Sequence, residues 1–423
     1  MFVHIKVRTV MRMKPFQKVV AALLAVVIVV SMAVSLSSCS LTKEWSYKYG
    51  DKQYDIGVYI YALYNAYLSA ENYAKDAKGY KEGESFLDLK IKDDDGKKAV
   101  ARDWILEKAD ETARELVVLD KLVKEKGATW DEATMTAAKQ TTKDAWDMGP
   151  YAMYGSNYYN PMSNQLEPHG VSYDSFLQIY VSQAGNSPYT VKTAAVFDKF
   201  YAKGGSDEVS DKELTEYFTK NYADYSYIPV KLYESKTDED GNATNTKFSD
   251  KKTKKIKEVL KGYVEDINSG NSDFNEVAKN CEKKYSVTSE EEVKNRVDNL
   301  DTLKSQDEEV YKSVKGLGNG KAELIIKDEK GDAPTAYIIV KNDINNDKKT
   351  YVSGDQRTNV LQSMKGEDFK DMMSKQAKNL SKDKKYQKND GAINSYNPDM
   401  FYEKPEETTS SDDGSDNGDS SES

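Results

Sequence analysis

Side chains able to do chemistry are scarce in this chain: it holds two cysteines and two histidines among 423 residues. Cys39 closes the stretch Leu36-Ser37-Ser38-Cys39, directly after an uncharged run from Val19 to Leu36. Cys281 stands four residues after Val277 and four before Tyr285, the spacing of one helix face, which predicts a small core residue. Two cysteines so placed exclude a disulfide framework. His169, between Pro168 and Gly170, reads as a solvent-exposed loop residue. Once a leader carrying His4 is removed it is the single imidazole, too little for a Ser-His-Asp system or a metal site. The turn Asp93-Asp94-Asp95-Gly96 lacks the spacing of a calcium loop. Gly316-Leu317-Gly318-Asn319-Gly320 lacks the Lys-Ser/Thr of a phosphate loop and leads into a strand rather than a helix. The carboxylates are spread along helices as solvated faces. No catalytic residue, cofactor or metal is expected.

Cys39 is the exception, because its setting gives it a role. Lys6, Arg8, Arg12, Lys14 and Lys18 precede the apolar run, and small residues precede the thiol. A basic lead, an apolar run and small residues before a cut describe an export signal. Leu-Ser-Ser-Cys resembles the lipobox of bacterial lipoproteins. The resemblance implies cleavage before Cys39 and acylation of its sulfur, hence an anchor on the outer face of the cytoplasmic membrane. About eighteen uncharged residues can also just span a bilayer; the basic lead and the small residues favour the lipoprotein. Two acyl chains would hold the protein stably, since each buried methylene contributes about 0.8 kcal/mol and one chain alone is marginal.

Cleavage there leaves 385 residues, enough for two or three domains. It also leaves 56 basic against 71 acidic residues, a net charge of −15 (56 − 71). That balance argues against nucleic acid as a partner and against a basic patch gripping anionic lipid. With 30 Tyr against 11 Phe, the chain favours rings that carry a polar tip. This suits a wet, adhesive surface and equally a polar protein whose core uses Tyr.

The elements that would position such a surface follow from periodicity. After a tether over 39–50, Val58, Tyr61, Leu63, Tyr64, Tyr67, Leu68 and Tyr73 recur at helical spacing and predict a long Tyr-rich helix within 51–80. A second helix is expected over 99–126, stopped by Gly127, and Thr129-Trp130-Asp131-Glu132 reads as the capping box of a third. Residues 149–170 form a loop rich in Tyr, Asn and Pro, carrying Tyr151, Tyr154, Tyr158 and Tyr159. Helices beginning at Ser172 and Val191 complete a helical domain ending at 208. Ser210-Asp211-Lys212-Glu213 caps a short helix, and 225–233 reads as a strand followed by a turn at Asp240-Gly241. Helices over 251–268 and 273–285, a charged run from Ser289 to Glu309, and strands over 321–327 and 336–341 complete a small α+β domain. A helix over 357–380 returns, and the acidic, Ser-rich segment from 397 to the end cannot bury a core and is expected to be disordered.

Three of these stretches resemble a known family. Val209-Ser210-Asp211-Lys212-Glu213-Leu214-Thr215-Glu216-Tyr217-Phe218 looks like the helix preceding a parvulin domain. Asp273-Phe274-Asn275-Glu276-Val277-Ala278 is similar to the D-F-x-x-L-A helix of parvulins, and Ala336-Tyr337-Ile338-Ile339-Val340-Lys341 to their last strand. With the lipobox, the helical N-terminal half and the returning helix, the order resembles the PrsA foldase lipoproteins and their relative SurA. The resemblance implies a mainly α-helical chaperone domain over 51–208, closed by a C-terminal helix within 346–396. Inserted between them would be a parvulin-like α+β domain over 209–345.

The departures bear on activity. Parvulins carry one His on the first strand and one on the last; here the first strand reads Tyr227-Ile228-Pro229-Val230-Lys231-Leu232, and the second position falls on Ile338. The family's Gly-Gly-x-Leu-Gly segment has no counterpart, since no Gly lies between Tyr285 and Val310. Prolyl isomerisation has to lower a barrier of roughly 20 kcal/mol, and these changes remove most of the groups that would do so. The expectation is an extracytoplasmic chaperone or foldase for unfolded exported polypeptides, without efficient isomerase activity. Its client contacts are placed at Tyr151, Tyr154, Tyr158 and Tyr159. An active isomerase and a surface lipoprotein that binds one specific partner are the alternatives.

Overall fold

The computed structural model describes residues 44–182, 185–237, 243–285 and 294–402. Cys39 with its signal, the expected turn at Asp240-Gly241 and the acidic segment 403–423 lie outside the described residues. From Trp45 onward the residues belong to one unit of mixed α+β structure.

That unit opens with a hairpin, β1 (Trp45–Tyr49) and β2 (Lys52–Asp55), turned at Gly50 with φ +57°. Helix α1 (Ile56–Ala74) follows at once. It is buried nearly all round, so its apolar residues do not mark a single stripe. Gly57 is needed there: a Cβ would stand 2.6 Å from Ser175 Oγ. A second hairpin, β3 (Lys90–Lys92) and β4 (Lys98–Val100), leads into α2 (Ala101–Lys126), which ends on Gly127 in the left-handed region. Then come α3 (Glu132–Asp147), α4 (Met162–Leu166), α5 (Tyr173–Ile179), α6 (Pro188–Tyr201) and α7 (Asp211–Asn221). Ser172, Ser187 and Ser210 each cap the helix they precede.

Strand β5 (Tyr222–Lys231) follows α7 without a loop. After it come the hairpin β6 (Tyr233–Thr237) and β7 (Ala243–Lys247), helices α8 (Asp250–Ser269) and α9 (Phe274–Tyr285), and β8 (Lys294–Asn299). Helices α10 (Leu300–Gln306) and α11 (Glu308–Gly316) then lead to β9 (Ala322–Lys327) and β10 (Thr335–Lys341). Four strands form an antiparallel sheet in the order β8-β5-β10-β9. Side chains alternate between its faces. Ile228, Val230, Leu232, Ala336, Ile338 and Val340 pack on α8 and α9; Ala223, Tyr225 and Ile339 pack with Leu303, Val310 and Val314 of α10 and α11.

The chain returns through α12 (Lys348–Val352) and α13 (Arg357–Asn379). Helix α13 lies against α2, where Ser374 Oγ donates to Glu111 Oε1 at 2.6 Å, and against α6, where Phe369 meets Phe197 edge-on at 5.4 Å. Strand β11 (Tyr386–Lys388) adds to the first hairpin, giving the sheet order β11-β1-β2, and α14 (Asp390–Ile393) follows.

Four expectations need correction. The tether does not reach residue 50: Trp45–Tyr49 is a strand whose Tyr47 is buried, its hydroxyl donating to Asp110 at 2.9 Å. The part expected to be helical thus contains sheet, and its first helix begins at Ile56. The cap of α3 is Asp131 rather than Thr129, because its carboxylate accepts from Thr134 N. The charged run before Glu309 is not featureless, since 294–299 forms an edge strand on β5 and 300–306 a helix; an edge strand tolerates charge on its open side. The C-terminal segment is ordered through Tyr402, where Pro398–Phe401 makes a 3-10 turn, Arg102 pairs with Asp399, and Phe401 packs edge-on to Tyr64 and Tyr67.

Candidate functional site

The Tyr-rich loop is held at its base by backbone. Gly149, φ +106°, donates to the carbonyls of Asp144 and Ala145 at the end of α3, and Asn160 N reaches Met148 O at 2.9 Å. A Cβ on Gly149 would come within 2.5 Å of the Asn160 carbonyl oxygen, so only glycine closes this loop. Between these anchors, two 3-10 turns, Ala152–Tyr154 and Ser156–Tyr158, lift the rings outward. Tyr154, Tyr158 and Tyr159 are 69%, 49% and 52% exposed, and Tyr154 meets Tyr158 edge-on at 6.0 Å. Tyr151 is not part of this face: it is half-buried and lies near Tyr180, behind the loop. Val181 was missed by sequence reasoning, yet it is exposed beyond half its surface just after Tyr180; a lone apolar residue after a short helix gives no periodic signal.

The second surface is the sheet face toward α10 and α11. Tyr227 on β5 and Tyr337 on β10 meet at 5.9 Å, both half-buried, with Tyr225 stacked on Tyr227 at 6.3 Å. Cations lie over these rings, Arg296 5.8 Å from Tyr227 and Lys327 5.3 Å from Tyr337. Tyr225 donates to Asp298 at 2.7 Å, and burial together with that carboxylate pushes its phenol well above the usual range. Ile338, where the resemblance expects an imidazole, points the other way, as does Ile228 on β5. They are directly opposed in register and both are sealed beneath α8 and α9.

Other chemistry is not assembled among the described residues. His169 is half-buried rather than exposed, its ring edge-on to Phe401 at 4.9 Å. Cys281 is buried in the core beneath the sheet, and desolvation pushes its thiol up to about 11. No group of three or more His, Cys, Asp or Glu residues could hold a metal ion among those described.

Where the sheet joins the helical body, two carboxyls meet. Asp347, in the 3-10 turn Ile344–Asp347, is pushed up to about 6 by burial, by a hydrogen bond to Asp224 and by that group's charge. Its Oδ2 is buried and lacks a hydrogen-bond partner, a setting that favours the protonated carboxyl. Asn342 fixes Asp224 from the other side, Nδ2 to Oδ1 at 2.8 Å and N to O at 2.9 Å.

No protein-family model and no curated protein matches the chain. Among solved structures it is similar to the crystal structure of foldase protein PrsA from Streptococcus pneumoniae, at 14% identity and a TM-score of 0.32, over 72% of this chain and 97% of that one. A likeness so distant carries no weight on function. No helix among the described residues is long and apolar enough to cross a membrane.

Proposed function

We propose that this protein is a membrane-anchored extracytoplasmic chaperone or foldase for exported polypeptides, acting without efficient prolyl isomerisation. The observation that carries the proposal is the pairing of β5 with β10 at the centre of a sheet flanked by helices on both faces, inserted between α7 and α12 of a helical body. That is the arrangement a parvulin-like insert requires, with isoleucines facing each other at Ile228 and Ile338. In this reading the helical body holds clients and the insert has lost its imidazoles. The exposed Tyr154, Tyr158 and Tyr159 supply the contact. Tyr gives large amphipathic area at the entropic cost of two torsions, and the surrounding Asn, Ser and Gly add adaptable hydrogen bonds. Without ATP, binding has to be weak and release fast. The acidic balance keeps the chaperone soluble beside its clients.

The test is suppression of aggregation of a chemically unfolded client by the protein lacking residues 1–38. Concentration-dependent suppression of several unrelated clients supports the proposal. Capture of one saturable partner with no suppression replaces it with the specific-partner reading.

A further inference from the structure

The first three turns of α8 carry a charge pattern that works against the helix itself. Asp250 to Lys261 contains Lys251, Lys252, Lys254, Lys255, Lys257 and Lys261 against Asp250 and Glu258. Four of these lysines lie in the first two turns, where the positive end of the helix dipole repels them. Lys251 and Lys255, and Lys257 and Lys261, are like-charge pairs one turn apart. Such violations of a local rule are expected where a partner relieves them.

Two of the lysines are already occupied. Lys252 lies 3.2 Å from the centre of the Phe248 ring and 3.7 Å from Glu234, and Lys257 pairs with Glu329 at 2.6 Å. Lys251, Lys254, Lys255 and Lys261 are exposed and have no ion pair among the described residues. The opposite face of α8, carrying Ile256, Leu260 and Ile267, is buried against the sheet. The free lysines therefore occupy roughly a third of the circumference of a fixed helix on its outer face, over about 15 Å, with the exposed Glu258 among them. A basic face of this width matches a plane of charge better than a point anion. Lysine, a hydrated point charge without the fork of arginine, suits a diffuse headgroup layer. An acidic protein is on average repelled by an anionic surface, and a basic face of this kind offsets that repulsion within about one Debye length.

We propose that the Lys251–Lys261 face of α8 docks on an anionic lipid headgroup surface. It would orient the body on the membrane to which the proposed anchor holds it. The inference rests on the membrane location given under the proposed function, but the contact is electrostatic and can be measured without the acyl group.

The protein lacking residues 1–39, and so without the acylated cysteine, is sedimented with vesicles of phosphatidylcholine alone or with about one-third phosphatidylglycerol. Binding to the anionic vesicles at about 50 mM salt, lost at about 0.3 M salt and absent from the neutral vesicles, is the expected result. The double variant Lys254→Glu, Lys255→Glu should bind roughly tenfold or more weakly. It should keep its far-UV spectrum and its suppression of client aggregation. Equal binding by variant and parent, or no binding by the parent at low salt, overturns the inference and leaves the chaperone reading untouched. So does binding that appears only after residues 403–423 are removed, which would make the acidic C-terminal segment the occupant of this face.

Discussion

Ile228 and Ile338 face each other across the β5–β10 ladder, both closed off from solvent by α8 and α9. The last-strand position where the resemblance expects an imidazole is thus a packed apolar contact. Placing a histidine there should not create activity. Ile338→His is expected to cost about 2–3 kcal/mol by burying an unpaired ring, read as a lowered urea midpoint. The parent chain should leave a proline-limited refolding phase at its uncatalysed rate. A clear acceleration by the parent would restore the isomerase reading.

Tyr154 and Tyr158 meet edge-on and both stand largely exposed, so their removal should separate function from stability. The double variant Tyr154→Ser, Tyr158→Ser is expected to suppress client aggregation severalfold less well, while its stability changes by less than about 0.5 kcal/mol. Light scattering and thermal melts measure the two. Loss of fold and function together would place the rings in the core instead.

Asp120 of α2 ties three elements together, accepting from Lys192 of α6 at 2.8 Å, from Tyr54 of β2 at 3.1 Å and from Lys52. Despite burial, the two lysines hold its carboxyl below the usual range. Asp120→Ala should destabilise by about 3 kcal/mol, because it strands partly buried cations. A depressed carboxyl contributes stability that is present above its unfolded pKa of about 4. That contribution is lost as pH falls through the folded value, so the parent's advantage over the variant should shrink below about pH 4 in denaturant titrations.

The Asp224–Asp347 pair has the opposite sign. Asp347 is pushed up to about 6, so between about pH 4 and 6 the folded state holds more protons than the unfolded one. Stability from this pair is present below that window and falls as pH rises through it. Tyr222, Tyr351 and Asp298 lie around the same spot and leave the pair's negative charge uncompensated. Asp347→Asn should be more stable than the parent at pH 7.5 and show little difference at pH 4. Equal stability at both values would show that Asp347 is not pushed up in the folded chain.

The C-terminal clip is short but tied at both ends. Asp399 pairs with Arg102, Tyr402 donates to Gly83 O at 3.1 Å, and Phe401 sits between Tyr64, Tyr67 and His169. Phe401→Ala is expected to lower stability by about 2 kcal/mol, whereas truncation after Tyr402 should cost nothing measurable. Thermal melts of both chains decide the point.

Most of the helices were legible because their signals are local: Ser210 with Glu213 marks α7, and Gly127 marks the end of α2. The strands β5 and β10 were likewise placed within a few residues. What was not legible depends on partners distant in sequence. Trp45–Tyr49 reads as polar tether until β11 lies beside it, more than 300 residues later. Lys294–Asn299 reads as a charged run until β5 pairs with it. The tyrosine loop was recognisable by composition, but Tyr151 could not be sorted from Tyr154 and Tyr158 without knowing which rings turn back toward Tyr180. The basic face of α8 was hidden in a net charge of the opposite sign.

Asn389 donates to Trp45 O, and β11 completes the sheet that β1 began. A chain made from its N-terminus therefore cannot finish the helical body until residues 386–389 have emerged. The sheet of the insert is continuous in sequence and is complete once Lys341 is free. The order of assembly is written into this closure: the inner part matures while the outer part still waits for β11.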